Sequence, residues 1–394
     1  MKNKAGLTVI FFTVFIDLMG FGILVPILPS FASKDLGISD TGIGIIVGVF
    51  SFVQFLLNSF FGKLSDKIGR RPLLLSTLLI TSCSYILFSF SHNFLMLFIS
   101  RALAGIGGSN IGVAQAYIAD ITTKEERAKG MGMIGSAFGL GFVFGPVIGG
   151  LLAEYGYSVA GYASAGFSFI AFIFALFVLP ESLPEDSVKQ KISYKIFDIK
   201  YALKLQKDNF IIAVLVLIFF IGVFSVANIH GTLAILGMKV HNFTDRQNSY
   251  LFGIMGLVGV IIQGFGIKYL TRIFEEKKLV LAALIFIMIG LALIPFGGGL
   301  IGISAAVFIM SIGTSINQPI IMSMISKYSP EAEQGAVLGL NQSIASLGRV
   351  IGPVWGGFSF DYFGYQFPFL TGAAFTLLAL VLSFNVFKSV HFNK

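Results

Sequence analysis

Charge is scarce in this chain. Only 12% of its 394 residues are Asp, Glu, Lys or Arg, about half the share found in soluble domains. So few charges cannot clothe a water-soluble surface, which excludes a cytosolic enzyme or a free binding domain. A single cysteine, Cys83, excludes an intrachain disulfide and a CxxC redox pair. The four histidines, His92, His230, His241 and His391, are scattered and form no HExxH zinc helix. GxSxG and GxxxxGK[ST] are missing as well, which argues against acyl-transfer chemistry and a nucleotide-driven pump. No enzymatic activity, metal or organic cofactor is expected.

What the chain has in abundance is apolar length. Hydrophobic residues make up 56% and the mean hydropathy is +0.88. About 20 apolar residues cross a hydrocarbon core of about 30 Å. Twelve runs of that order predict membrane helices over 7–29, 41–61, 73–91, 95–118, 129–153, 159–180, 209–230, 248–267, 279–297, 301–326, 336–357 and 367–387. The fold class is therefore an all-α polytopic membrane protein whose main partner is the lipid bilayer. The first run is too long for a signal-peptide core and has no small-residue cleavage site, so a retained first span is expected.

The formal charge of +8 has a topological origin. Lys2, Lys4, Lys63, Lys67, Arg70, Arg71, Lys124, Arg127, Lys129, the six lysines of 189–207, Lys268, Arg272, Lys277, Lys278, Lys327, Lys388 and Lys394 all fall on one side of the predicted spans. Lys34, Lys239 and Arg246 fall on the other. Such a bias puts both termini in the cytoplasm. Nucleic acid is not an expected partner. The polar stretch 181–208 divides the chain into six-helix halves, 1–180 and 209–394. Within it, Tyr194–Leu205 is either a short surface helix or a solvated linker.

The halves share a motif. "GFVFGPVIGG" (141–150) and "GRVIGPVWGG" (348–357) lie at an offset of 207 residues, which carries Gly141, Gly145, Pro146, Gly149 and Gly150 onto Gly348, Gly352, Pro353, Gly356 and Gly357. The same offset carries Gly132 onto Gly339. Glycines four apart clear one face of a helix for close backbone approach, and proline bends it. Parallel repeats around a midplane site are a transporter architecture.

Four motifs together resemble the major facilitator superfamily, and within it the twelve-helix drug/proton antiporters of the tetracycline and multidrug branch. They are "DLMGFGILVPILP" (17–29), "GKLSDKIGRRP" (62–72), "RALAGIGGSN" (101–110) and "GFVFGPVIGG". The resemblance implies twelve transmembrane helices in two pseudo-symmetric six-helix bundles. It implies a monomer in the cytoplasmic membrane of a bacterium, with a small-molecule substrate and the proton as coupling ion. It further implies a conformational latch in which Gly62 and Gly69 allow a tight turn, Asp66 meets the start of the eleventh helix, and Arg70 pairs with Asp120.

Three charges fall deep in the spans: Asp17, Arg101 and Arg349. A carboxylate at the bilayer centre costs about 3 kcal/mol, so buried charges must pair or face water. Asp17 and Arg101 are the proton-coupling candidates, with Arg101 the natural partner of Asp17 in the resembled fold. A purely structural ion pair and direct substrate contact are the competing roles. Arg349 has no acidic partner in its own span; it either bonds to backbone or attracts a negative group on the substrate. Two arginines against one aspartate favour neutral, zwitterionic or anionic substrates. Gln54, Asn58, Gln115, Asn228, Gln318, Asn341 and Arg349 are candidates to line the substrate cavity; Asn317 and Gln342 neighbour two of them, and His230 is placed near the outer surface. Amides of this kind also hold helices together.

The specificity residues of the tetracycline branch are not matched. Ser84 stands near the place of its third-helix acid, and "GLVGVIIQGF" (256–265) and "LIFIMIGLALI" (284–294) carry no charge. Tetracycline is not expected as a substrate, although Gln54 and Gln263 fit the branch. Export of an endogenous metabolite, sugar or lipid-like molecule would use the same motifs. A non-transporting sensor is the remote alternative.

Overall fold

Every strand-forming option is closed to a lipid-facing chain without a barrel pattern, because backbone N–H and C=O groups must be satisfied within the segment. The computed structural model, which describes residues 2–122, 124–182, 210–329 and 334–389, is correspondingly helical, with no strand among them. Its helices are α1 (Lys2–Lys34), α2 (Asp40–Ile68), α3 (Arg70–Ser89), α4 (Phe94–Gly107), α5 (Ile111–Ile121), α6 (Lys124–Ala153), α7 (Tyr157–Val178), α8 (Phe210–Ala227), α9 (Ile229–His241), α10 (Asp245–Ile261), α11 (Ile267–Ile273), α12 (Glu276–Leu293), α13 (Leu300–Tyr328), α14 (Gln334–Phe363) and α15 (Phe367–Ser389). Eleven helical stretches among the described residues are long and apolar enough to cross a membrane. The 30-residue α14, with Pro353 inside it, is the twelfth long element.

Three predicted boundaries differ from the structure. The stretch 62–72 is not a loop: α2 runs on to Ile68 and the chain reverses at Gly69 alone, with φ +100°. The fourth span is interrupted by one 3-10 turn, Gly108–Asn110, between α4 and α5. The seventh continues to His241 as a 32-residue stretch, Phe210–His241, broken only at Asn228. His230 thus lies inside that span rather than near its outer end. The predicted surface segment Tyr194–Leu205 lies outside the described residues.

The described residues cluster into two units: those of Met1–Ile38, Val49–Ile196 and Thr244–Gly256, and those of Ser39–Gly48, Phe197–Phe243 and Leu257–Lys394. In the first, α1 lies against α6 and α7, and α3 against α4 and α7. Ile10, Val14, Leu18, Leu74, Leu78, Tyr117 and Ala137 form its core. In the second, α12 lies against α13 and α15, and α8 against α14 and α15, around Ile212, Leu215, Phe219, Leu284, Ile321 and Met324. Large apolar side chains such as Phe177, Phe210 and Ile301 remain exposed, as lipid-facing positions require.

The glycine stripes explain the tightest contacts. A Cβ on Gly145 would stand 2.7 Å from the Cα of Gly22, and one on Gly141 would stand 3.0 Å from the Cβ of Leu18, so α6 and α1 touch backbone to backbone. The duplicated stripe repeats this. A Cβ on Gly352 would stand 2.9 Å from the carbonyl oxygen of Phe224, and one on Gly348 would stand 3.2 Å from its nitrogen. The opposite edges are used alike. Gly150 packs on Ser249 in the first unit, and Gly357 on the backbone of Asp40 in the second.

Candidate functional site

Asp17 sits on α1 and is 6% exposed. Its Oδ1 accepts a hydrogen bond from Ser168 Oγ of α7 at 2.8 Å, and its Oδ2 accepts one from Asn110 Nδ2 at 2.9 Å. Asn110 reaches the carboxylate because the 3-10 turn at Gly108–Asn110 rotates it off the regular face of the fourth span. Gln54 Nε2 of α2 donates to the carbonyl of Gly108 at 2.8 Å and steadies that turn. A mid-helix 3-10 segment often marks a functional point.

Arg101 does not pair with Asp17, which corrects the expected contact. Its guanidinium lies over the rings of Tyr85 and Phe88, 5.5 and 5.8 Å from their centroids, and among the described residues its Nε and Nη2 have no hydrogen-bond partner. Cation–π attraction of this kind reaches about 2 kcal/mol when desolvated. Tyr85, fully buried, interacts electrostatically with both Asp17 and Arg101. Apolar neighbours with a π face thus take the place of the carboxylate. Ser168, Asn110 and Tyr85 are the residues sequence reasoning missed. Asn110 at least ends the motif "RALAGIGGSN"; nothing distinguishes Ser168 from the other serines of α7.

A second polar cluster gathers at the α2–α3 turn. Arg70 Nε bonds Asp120 Oδ2 at 3.0 Å and Nη2 meets Asp66 Oδ1 at 2.5 Å. Its Nη1 donates to Ser65 Oγ and to the carbonyl of Gly62. Gly69 has two uses here. Its positive φ makes the reversal, and its missing Cβ leaves room for Glu181, whose carboxylate accepts from the backbone N–H groups of Arg70 and Arg71 at 2.9 and 3.1 Å. Ser182 Oγ donates to Asp120 at 3.0 Å. Gly62, by contrast, has open space around it and stays helical, so it plays no part in the turn. The helix start that the resemblance sets against Asp66 adjoins 330–333, outside the described residues.

At the other end of α2, and on α1 and α10, stand ion pairs that the sequence did not announce. In the second unit, Lys239 Nζ meets Asp40 Oδ1 at 2.6 Å. Asp361 accepts from the backbone N–H groups of Asp40 and Thr41, at 3.2 and 2.7 Å, and from Thr41 Oγ1. A carboxylate at a helix N-terminus satisfies free N–H groups and suits the helix dipole. In the first unit, Asp245 Oδ2 accepts from Tyr157 Oη at 2.8 Å and faces Lys34 Nζ at 3.4 Å.

The cavity candidates separate by partner. Asn228 is buried and donates to the carbonyl of Pro368, and Asn341 lies 3.0 Å from Met322 Sδ. Both sit where amides join helices. Asn58 Oδ1 is buried without a partner, whereas Gln115 and Gln318 are exposed. Arg349 Nη2 donates to Ser346 Oγ at 2.8 Å.

Comparison with known proteins agrees with this architecture. The sequence profile described as Major Facilitator Superfamily matches residues 10–353 and 300–391. "Multidrug resistance protein 1" of Bacillus subtilis is 30% identical over 391 residues, 98% of this chain and 97% of that protein. "Tetracycline resistance protein, class C" of Escherichia coli is 29% identical over 359 residues, 90% and 89% of the two chains. The crystal structure of the human organic anion transporter MFSD10 superposes with a TM-score of 0.74 at 26% identity, covering 97% of this chain and all of that one. The chain belongs to the major facilitator superfamily of membrane transporters.

Proposed function

We propose that this protein is a proton-coupled exporter of amphipathic, drug-like small molecules, working by alternating access from a bacterial cytoplasmic membrane with both termini inside. One observation carries the reading: Asp17 is buried against two neutral donors and no base. An arginine partner would hold the carboxylate permanently ionised. Ser168 instead serves both states, because its hydroxyl donates to a carboxylate and accepts from a carboxylic acid. A proton can therefore be taken up or given off while the contact with Ser168 is kept. One proton moving down 100 mV supplies about 2.3 kcal/mol, about a fiftyfold gradient of an uncharged substrate.

Two sets of contacts suit alternating access. The Arg70 cluster ties α2, α3 and α5 on the predicted inner side. The Asp40, Lys239 and Asp361 contacts tie α2, α9 and α14 on the predicted outer side. The multidrug and tetracycline resistance proteins among the relatives support drug-like substrates. Ser84, bonded to its own helix at Thr81, offers no acid where the tetracycline branch has one, and tetracycline itself is not proposed.

The test uses purified protein in liposomes with a pH-sensitive dye inside, and neutral, anionic and cationic amphiphiles added in turn. Substrate-triggered proton flux that Asp17→Asn abolishes is expected. Substrate movement indifferent to the proton gradient, or unchanged in Asp17→Asn, would sink the reading.

A further inference from the structure

Arg349 lies half-buried in α14 and yet lacks what a charge at that depth normally has. Among the described residues no carboxylate pairs with it, and its single side-chain hydrogen bond goes to Ser346, one helical turn away. An unbalanced guanidinium at membrane depth is expensive and is kept for a reason. α9, which begins after the break at Asn228, packs against α14 and carries His230 within electrostatic reach of Arg349. His230 also lies deep among protein atoms and makes no side-chain hydrogen bond among the described residues. Neither group is sealed in: each keeps a partly accessible surface. Next to Arg349, Gly348 packs on the backbone of Phe220 and Phe224 in α8. Phe224 in turn meets Phe375 edge-on, with centroids 5.3 Å apart.

We propose that Arg349 and His230 form an anion subsite that takes the carboxylate of an amphipathic organic acid or zwitterion, whose apolar part lies toward Phe220, Phe224 and Phe375. The chemistry matches donor by donor. A guanidinium with one N–H committed to Ser346 has four left, in a planar fork that fits the two oxygens of a carboxylate. Imidazole adds a further N–H. A lipophilic cation would meet repulsion at the same place. The proposal rests on the exporter reading for its substrate, but not for its charge preference, which is a property of binding alone.

Equilibrium binding separates the two. The probes are 4-phenylbutyrate, naphthalene-1-carboxylate and indole-3-acetate, each beside its uncharged primary amide, titrated into the intact purified protein in detergent. The wild type is expected to bind each acid about 10- to 100-fold more tightly than its amide, as charge-assisted hydrogen bonds allow. Arg349→Gln is expected to remove that preference without weakening the amides, Arg349→Lys to keep part of it, and His230→Gln to reduce it. The proposal is overturned if the wild type binds amides as well as acids, if it binds no member of the series, or if Arg349→Gln keeps the preference. Should Arg349→Gln fail to fold, modification of wild-type Arg349 by phenylglyoxal, read by mass spectrometry, decides instead. Protection by the acids and not by the amides supports the subsite; equal modification overturns it. If acids bind as expected but drive no Asp17-dependent proton flux, the exporter reading fails and the subsite stands.

Discussion

Asp17 and Arg349 are both charges set within apolar helices, one in each unit, and they are held in opposite ways. Asp17 is complete: two neutral side chains from α5's approach and α7 occupy its two oxygens. Arg349 is incomplete, with one serine for five donors. A group that changes charge needs partners able to serve both states. A group that keeps its charge for a guest needs donors left over. Within one repeated helical frame, the two units thus hold the charges proposed for the proton and for the ligand in different ways.

Asp17→Asn breaks that division most severely. It preserves size and hydrogen bonding but cannot exchange a proton. Coupled transport in liposomes should fall by about 10²- to 10⁴-fold, with little change in the affinity for a neutral substrate. If affinity falls as much as flux, the two sites are not separate. Next in size are Gly145→Val and Gly352→Val. Each forces a side chain into a backbone contact, and each should cost about 1–3 kcal/mol of stability, read as thermal unfolding in detergent. Similar losses in both confirm a shared frame, while a loss in one only would show that the repeat is nominal. Asp120→Asn should slow transport several-fold, about 1 kcal/mol of barrier, since Arg70 keeps Asp66, Ser65 and the carbonyl of Gly62. Unchanged turnover would remove that cluster from the transport cycle. Ser168→Ala should have the smallest effect, about 0.5–1 kcal/mol on the coupled rate, because Asn110 still holds Asp17. Restoration by Ser168→Thr checks that the hydroxyl, and not packing, is responsible.

Much of the frame was legible in the sequence because its signals are periodic. Apolar runs of membrane length gave the helices, and glycines at four-residue spacing gave the face along which α6 meets α1 and α14 meets α8. The contact of Arg70 with Asp120 came from resemblance, since no local pattern joins residues 50 positions apart. The partners of Asp17 were hidden for a physical reason. Serine in a helix most often bonds its own backbone, as Ser164 does with Ala160 and Ser346 with Gln342; Ser168 is the exception, and only tertiary placement shows it. The 3-10 turn that aims Asn110 is equally silent, because Gly-Gly-Ser within an apolar run reads as helix packing. The expected pairing of Arg101 with Asp17 overlooked Tyr85, whose ring supplies a face for the guanidinium. Glu181 was assigned to a linker although it caps the turn at Gly69.

The duplicated stripe also carries a historical consequence. Where α14 has Arg349, the same place in α6 holds Phe142, while the glycines and the proline around both positions coincide. The two copies therefore differ in charge and agree in backbone contact. The closeness of the helices and the chemistry they present are set by different positions of the stripe, so the residue beside a glycine can change without altering how the helix is seated.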